Sequence, residues 1–158
     1  MNQIDLKDRH AIVTGGAKGI GQAIAARALA SGARVTIWDI DVGRTDQTIK
    51  ELGAGDGVRG DMVDVTDPDA IARGLDEAIA GFGNVDILVN NAGSVGTVAN
   101  LWEQPVENWQ RMLTLNLTSA FLCCRAVTPH MIENGYGRIV NIASNAGKMA
   151  TLQNSPYA

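Results

Sequence analysis

The sequence predicts an α/β chain, a doubly wound parallel sheet with helices on both faces. Two observations carry this. Short apolar runs alternate with amphipathic helical patterns along the whole chain. The apolar runs also lack strict apolar–polar alternation, as expected of strands buried on both sides. No repeat, low-complexity tract or linker interrupts the pattern, so residues 1–158 read as one domain without an internal boundary.

The elements follow in order. "HAIVTG" (10–15) reads as a buried strand. "GIGQAIAARALASG" (19–32) carries Ile20, Ile24, Ala28 and Leu29 at helical spacing and closes on a glycine suited to a C-cap. "ARVTIWD" (33–39) is a second strand rich in β-branched residues. A helix over about 42–52 is ended by "GAGDG", and "VRGD" (58–61) is a weaker third strand. "DPDAIARGLDEAIAGFG" (67–83) opens with an acidic N-cap and Pro in the first turn, then runs amphipathic. "VDILVNNAG" (85–93) is an apolar strand entering a polar loop. A long helix over roughly 106–133, with a break near Leu113, leads to a fifth strand, "GRIVNIAS" (137–144).

Composition narrows the function. Apolar residues make up 46% and charged residues 19%, so a packed core is readily built and disorder is disfavoured. The net charge of −4 gives no reason to expect nucleic acid or an anionic membrane as partner. The start, "MNQIDLKDRH", lacks the apolar stretch of a secretory signal, and no apolar run approaches the roughly 20 residues of a membrane helix. Cys123 and Cys124 are adjacent, so a relaxed disulfide between them is disfavoured, and no Cys/His spacing indicates a metal. They read as inert thiols on a helix, in a reducing compartment, and a cytoplasmic location is the expectation.

"TGGAKGIG" (14–21) lies between the first strand and the first helix, with Gly15, Gly19 and Gly21 spaced GxxxGxG. Glycine serves three ends in such a loop: a tight turn, close approach of backbone to a pyrophosphate, and close helix–strand packing. The helix dipole and first-turn N–H groups then face the phosphates. Asp39, at the end of the second strand, can accept hydrogen bonds from an adenosine ribose and repel a 2′-phosphate; it could also simply cap the following turn. Lys18 in the loop and Arg44 beyond Asp39 are cations that could attract a 2′-phosphate. The direct position of Asp39 favours NAD, with NADP the lesser expectation.

Taken together, these residues resemble the compact branch of the short-chain dehydrogenases/reductases. The resemblance rests on "TGGAKGIG", Asp39, "DVTD" (64–67), "NNAG" (90–93), Asn116, "IAS" (142–144) and Tyr157, met in order along the whole chain. It implies a Rossmann-type fold, a small-molecule substrate, and an activity interconverting a secondary alcohol and a ketone. Gly15, Lys18, Gly19, Ile20 and Gly21 would border the cofactor. Asp64 and Val65 would touch the adenine, though "DVTDP" would equally serve as a turn and helix cap. Asn91, Ala92 and Gly93 would pass beside the cofactor, and with Asn90 steady the sheet. Asn116 would hold a water of a proton relay. Ser144 would hydrogen-bond the substrate oxygen, and Tyr157 would be the general acid/base and would also touch the cofactor. No metal ligand set is implied.

A tyrosine with an ordinary pKa near ~10 needs positive charge nearby to act as a base. The family places a lysine one helical turn later, and the sequence runs only to Ala158. The expectation is therefore an N-terminal part of a longer enzyme, with the C-terminal part of the fold missing; the intact protein would be a homotetramer or homodimer. "SNAGKMATLQNSP" should border the substrate, and its Asn145, Lys148, Gln153 and Asn154 lean towards a polar one such as a sugar, sugar acid, polyol or hydroxy acid. The alternatives are an NADPH-dependent 3-oxoacyl-[acyl-carrier-protein] reductase and a dinucleotide-binding fragment without turnover.

Overall fold

The computed structural model describes residues 4–149 and 153–157. Five strands form one parallel sheet. They are β1 (His10–Thr14), β2 (Arg34–Asp39), β3 (Val58–Met62), β4 (Ile87–Asn90) and β5 (Arg138–Asn141), in the spatial order β3-β2-β1-β4-β5. All neighbouring pairs are parallel, with Val13 opposite Ile37 on one side and Val89 on the other. Winding outward from β1 in two directions makes β1 and β4 the switch point of the sheet, the position at which open sheets of this kind bind ligands beyond their carboxyl ends.

The helices cover both faces, as expected. α1 (Gly19–Ala30) and α2 (Val42–Leu52) lie on one side, where Ala25, Ala28 and Ile49 pack against Ala11, Val13, Val35 and Ile37. On the other side α3 (Pro68–Phe82) and α5 (Ser119–Glu133) bring Ile71, Leu75, Cys123 and Val127 onto Ile12, Trp38 and Leu88. Successive strand residues therefore enter opposite cores, which is why no polar alternation is visible in "HAIVT". Cys123 is buried, and desolvation pushes its thiol up to about 12, so it is a packing group rather than a nucleophile.

Local chemistry explains the helix ends. Asp67 caps α3 by accepting from Asp69 N at 2.9 Å, with Pro68 in the first turn. Gly53 ends α2 at φ 59°, where a residue with a Cβ would be strained. The expected break near Leu113 takes a specific form. α4 (Val106–Leu113) passes into a π-helical turn, Thr114–Thr118, and then into α5, without leaving helical backbone angles.

Two details differ from the sequence reading. Ile20, assigned to the apolar stripe of the first helix, is 65% exposed; the face of α1 against the sheet is made of Gly21, Ala25 and Ala28. Small residues let the helix approach the strands closely, and the larger side chain is left outside. The fifth strand is also shorter than expected, ending at Asn141 rather than 144. Among the described residues no helix is long and apolar enough to cross a membrane.

Candidate functional site

All five strands are parallel, so their carboxyl ends, and the segments that follow them, share one end of the sheet. That end carries the glycine loop after β1, Asp39 at the tip of β2, Asp64 after β3, Asn91–Gly93 after β4 and Ser144 after β5.

The loop is closed by contacts that exclude side chains. A Cβ on Gly21 would collide with the Gly15 carbonyl and lie 2.6 Å from Asn91 Nδ2. Gly19 is different: its φ is +57°, and a Cβ there would meet nothing within 4 Å. Gly21 is thus required by packing, whereas Gly19 lies under open space at the start of α1. Lys18 is the N-cap, exposed and in extended conformation, so the first N–H groups of α1 follow directly on the loop. This is a backbone cradle of the shape and polarity that a pyrophosphate requires, and a bulkier loop would fill it.

Asp39 is half-buried, and its carboxylate clasps the loop. Oδ2 accepts from Ala17 N at 3.1 Å and Oδ1 from Asp41 N at 3.1 Å. The turn-capping role and a position beside the loop therefore coexist. Arg44, a candidate for meeting a 2′-phosphate, is already engaged: its Nε donates to the Ala17 carbonyl at 3.1 Å and its terminal nitrogens pair with Glu51. Asp64 accepts from both the backbone N (2.9 Å) and the hydroxyl (2.7 Å) of Thr66, which is the turn anticipated for "DVTDP"; Val65 beside it is buried.

The segment after β4 is tied to the glycine loop. Asn91 Nδ2 donates to the carbonyls of Thr14 (2.9 Å) and Gly15 (3.1 Å). The Thr14 hydroxyl in turn accepts from the backbone N of Asn91 and Ala92, each at 3.0 Å. Thr14 escaped the sequence reading; its hydroxyl at the end of an otherwise apolar run was the available signal. Asn90 is buried and donates to Asn141 Oδ1 at 2.8 Å, while its own Oδ1 has no partner among the described residues. Asn141, the register partner of Asn90, was likewise not anticipated.

Asn116 occupies the π turn. Its Oδ1 accepts from Ser94 N and its Nδ2 donates to Ser94 O, both at 2.9 Å. It thereby holds the loop beyond β4 like a paired backbone strand. Gly93 is needed beside it, since a Cβ there would lie 2.9 Å from Asn116 Oδ1.

Ser144 is exposed and accepts from Ala146 N at 3.2 Å, opening the short helical turn Asn145–Gly147. Residues 150–152, within the segment expected to border the substrate, lie outside the described residues. Tyr157 is half-buried in a turn whose backbone N donates to Asn154 O at 2.9 Å. The Tyr157 segment docks on the loop beyond β4: Ala99 N donates to Gln153 O at 3.0 Å, and Gln104 Nε2 reaches the same carbonyl at 3.3 Å. Ser144 and the segment carrying Tyr157 are thus attached to the same end of the sheet as the cradle.

Comparison with known proteins identifies the family. The family model described as short chain dehydrogenase matches residues 9–158. The chain is 44% identical over 150 residues to 2-dehydro-3-deoxy-L-rhamnonate dehydrogenase (NAD(+)) of Sphingomonas sp. (strain SKA58), covering 95% of this chain and 59% of that protein. It is 39% identical over 153 residues to D-threitol dehydrogenase of Mycolicibacterium smegmatis, covering 96% and 58%. It is 44% identical over 151 residues to the granaticin polyketide synthase putative ketoacyl reductase 1 of Streptomyces violaceoruber, covering 94% and 55%. Among solved structures, NAD+-bound xylitol dehydrogenase superimposes with a TM-score of 0.93 at 32% identity, covering 98% of this chain and 60% of that one. The chain therefore spans less than two thirds of the length of these relatives. A glycine cradle, an acidic strand tip and this match over nearly every residue lead to one conclusion: the chain belongs to the short-chain dehydrogenase family.

Proposed function

We propose that this chain supplies the dinucleotide-binding part, and the serine and tyrosine, of an NAD-dependent oxidoreductase that interconverts a secondary alcohol and a ketone. The observation that carries the reading is Asp39, whose carboxylate is fastened to Ala17 N beside the open cradle at Gly19. A carboxylate in that place accepts hydrogen bonds from a ribose diol and repels a 2′-phosphate.

The residues divide the work. The Gly15–Gly21 loop and the start of α1 would hold the pyrophosphate, and Asp39 the adenosine ribose. Asn91 and Thr14 keep the loop and the segment beyond β4 at a set separation. Bound there, the nicotinamide would supply hydride transfer. Ser144 would donate a hydrogen bond to the substrate oxygen, and Tyr157 would exchange a proton with it. Asn116 holds Ser94, and with it the loop on which the Tyr157 segment docks. Two relatives, acting by name on a deoxy sugar acid and on threitol, support a polyhydroxylated substrate. The expected setting is a homo-oligomer in the cytoplasm.

The ketoacyl reductase relative at 44% identity favours a second reading, reduction of a 3-oxoacyl group with NADPH. Calorimetric titration with NAD and NADP separates the two. On our reading NAD binds more tightly, and Asp39→Ala narrows the difference by about tenfold, the scale of one charge-assisted hydrogen bond. Tighter binding of NADP by the parent protein would favour the second reading instead.

A further inference from the structure

Arg44 presents a puzzle for a site that prefers NAD. It stands in the first turn of α2, one turn from the strand tip that carries Asp39, and both side chains grip the same residue: Asp39 accepts from Ala17 N, and Arg44 Nε donates to Ala17 O. A free guanidinium so placed would offset the carboxylate and offer a planar donor pair to a phosphate.

The guanidinium is not free. Nη1 donates to Glu51 Oε1 at 3.1 Å, and Nη2 donates to Glu51 Oε2 at 3.2 Å and to Gln22 Oε1 at 3.2 Å. Glu51 is itself braced, accepting from Gln22 Nε2 and Gln47 Nε2, each at 2.8 Å. The Arg44 side chain is 26% exposed and that of Glu51 is 41% exposed. An isolated pair this accessible would contribute little stability. This one closes a ring joining the glycine loop, α1 and α2, and it engages the charge of Arg44 and four of its five N–H donors.

Resting on the reading of the glycine loop as a dinucleotide site, we propose that Glu51 is a specificity-determining residue: by holding Arg44 through a two-point pair, it denies a 2′-phosphate this one of the two nearby cations and so strengthens the preference for NAD over NADP. Asp39 supplies the repulsion, and Glu51 removes the attraction that would cancel it. Glu51 touches no cofactor on this view and acts through Arg44.

The test is a titration of NAD and NADP into the parent protein, Glu51→Ala, Glu51→Gln and the double variant Arg44→Ala/Glu51→Ala, with circular dichroism to establish that each is folded. Glu51→Ala should tighten NADP about tenfold while changing NAD less than about twofold, since the freed guanidinium adds one charge-assisted hydrogen bond to the 2′-phosphate alone. Glu51→Gln keeps an acceptor but not the charge and should fall between. The double variant should return the preference to that of the parent, a reversal that a merely structural role for Glu51 would not produce. The NADP gain should also shrink with added salt, as a new ion pair requires. If NAD binds all folded variants and the preference stays within about twofold of the parent, the proposal is overturned. If folded Glu51 variants lose both cofactors alike, Glu51 only anchors the loop and the proposal is again wrong. If the parent binds neither cofactor, the dinucleotide reading itself fails, and this inference with it.

Discussion

β1 and β5 are built from similar residues and live in different surroundings. "HAIVT" and "RIVN" are both short, parallel and rich in β-branched side chains. In β1 all five residues are buried, with Ile12 and Val13 at 0% exposure. In β5 all four are exposed, with Ile139 at 39% and Val140 at 46%. β1 has a strand on each side and a helical layer on each face, whereas among the described residues β5 pairs with β4 alone. Apolar strand chemistry therefore specifies a strand, and the number of neighbours decides how much that strand contributes to the core. Within the described residues the side of β5 away from β4 has no strand partner, and a strand so placed presents unpaired backbone groups and a partly apolar face, which is a pairing hazard.

The largest test of the contrast is truncation on the two strands. Ile12→Ala should cost ~2–5 kcal/mol, as buried Ile does, while Ile139→Ala should cost less than ~1 kcal/mol. Urea unfolding of both variants measures the difference, and equal costs would mean that β5 is covered in solution.

Next in size is the tie between the β1 and β4 loops. Asn91→Ala leaves the Thr14 and Gly15 carbonyls without their side-chain donor and should destabilise by ~1–3 kcal/mol, with a fall in NAD affinity that Asn145→Ala does not share. Thermal unfolding with and without NAD separates the two effects.

A smaller effect lies in the pH response of β1. Burial holds the His10 imidazole below its ordinary pKa of 6.5, and its ring bonds Thr36 Oγ1 at 2.8 Å. The unfolded chain then takes up this proton more readily than the folded one. Stability from His10 is complete above about pH 6.5 and declines as the pH falls towards the lowered folded value. His10→Gln should flatten that part of a stability–pH curve measured by urea midpoint.

The smallest expected change in stability is at the edge. Val140→Lys should leave the urea midpoint almost unmoved, within ~0.5 kcal/mol, and slow aggregation measured by light scattering. A large loss of stability would place Val140 in a packed environment and break the comparison.

Much of the molecule was legible in the sequence because the signals were local. Gly53 and the Asp67–Pro68 pair mark helix ends through the backbone of their own turn, and the apolar runs mark strands through residues two apart. The glycine loop was legible because its spacing, between strand and helix, has a direct steric meaning. Other parts were not. That Ile20 faces outward follows from how closely α1 approaches the sheet, a distance no periodicity records. That Asn116, in the π turn, grips Ser94 is a contact across 22 positions of chain that no local pattern records.

By itself the sequence determined the α/β class, the order of elements, the acidic tip at Asp39 and the polar residues at the strand ends, since each is written within one turn or one strand. Only the tertiary structure decided which of them meet. The order β3-β2-β1-β4-β5 sets Asn91 against Thr14 across 77 positions of chain, and the placement of α1 and α2 on one face of the sheet lets Gln22, Arg44 and Glu51 close into one network. Side-chain partners across such separations are fixed by strand order and helix approach, which arise from burying two apolar faces at once.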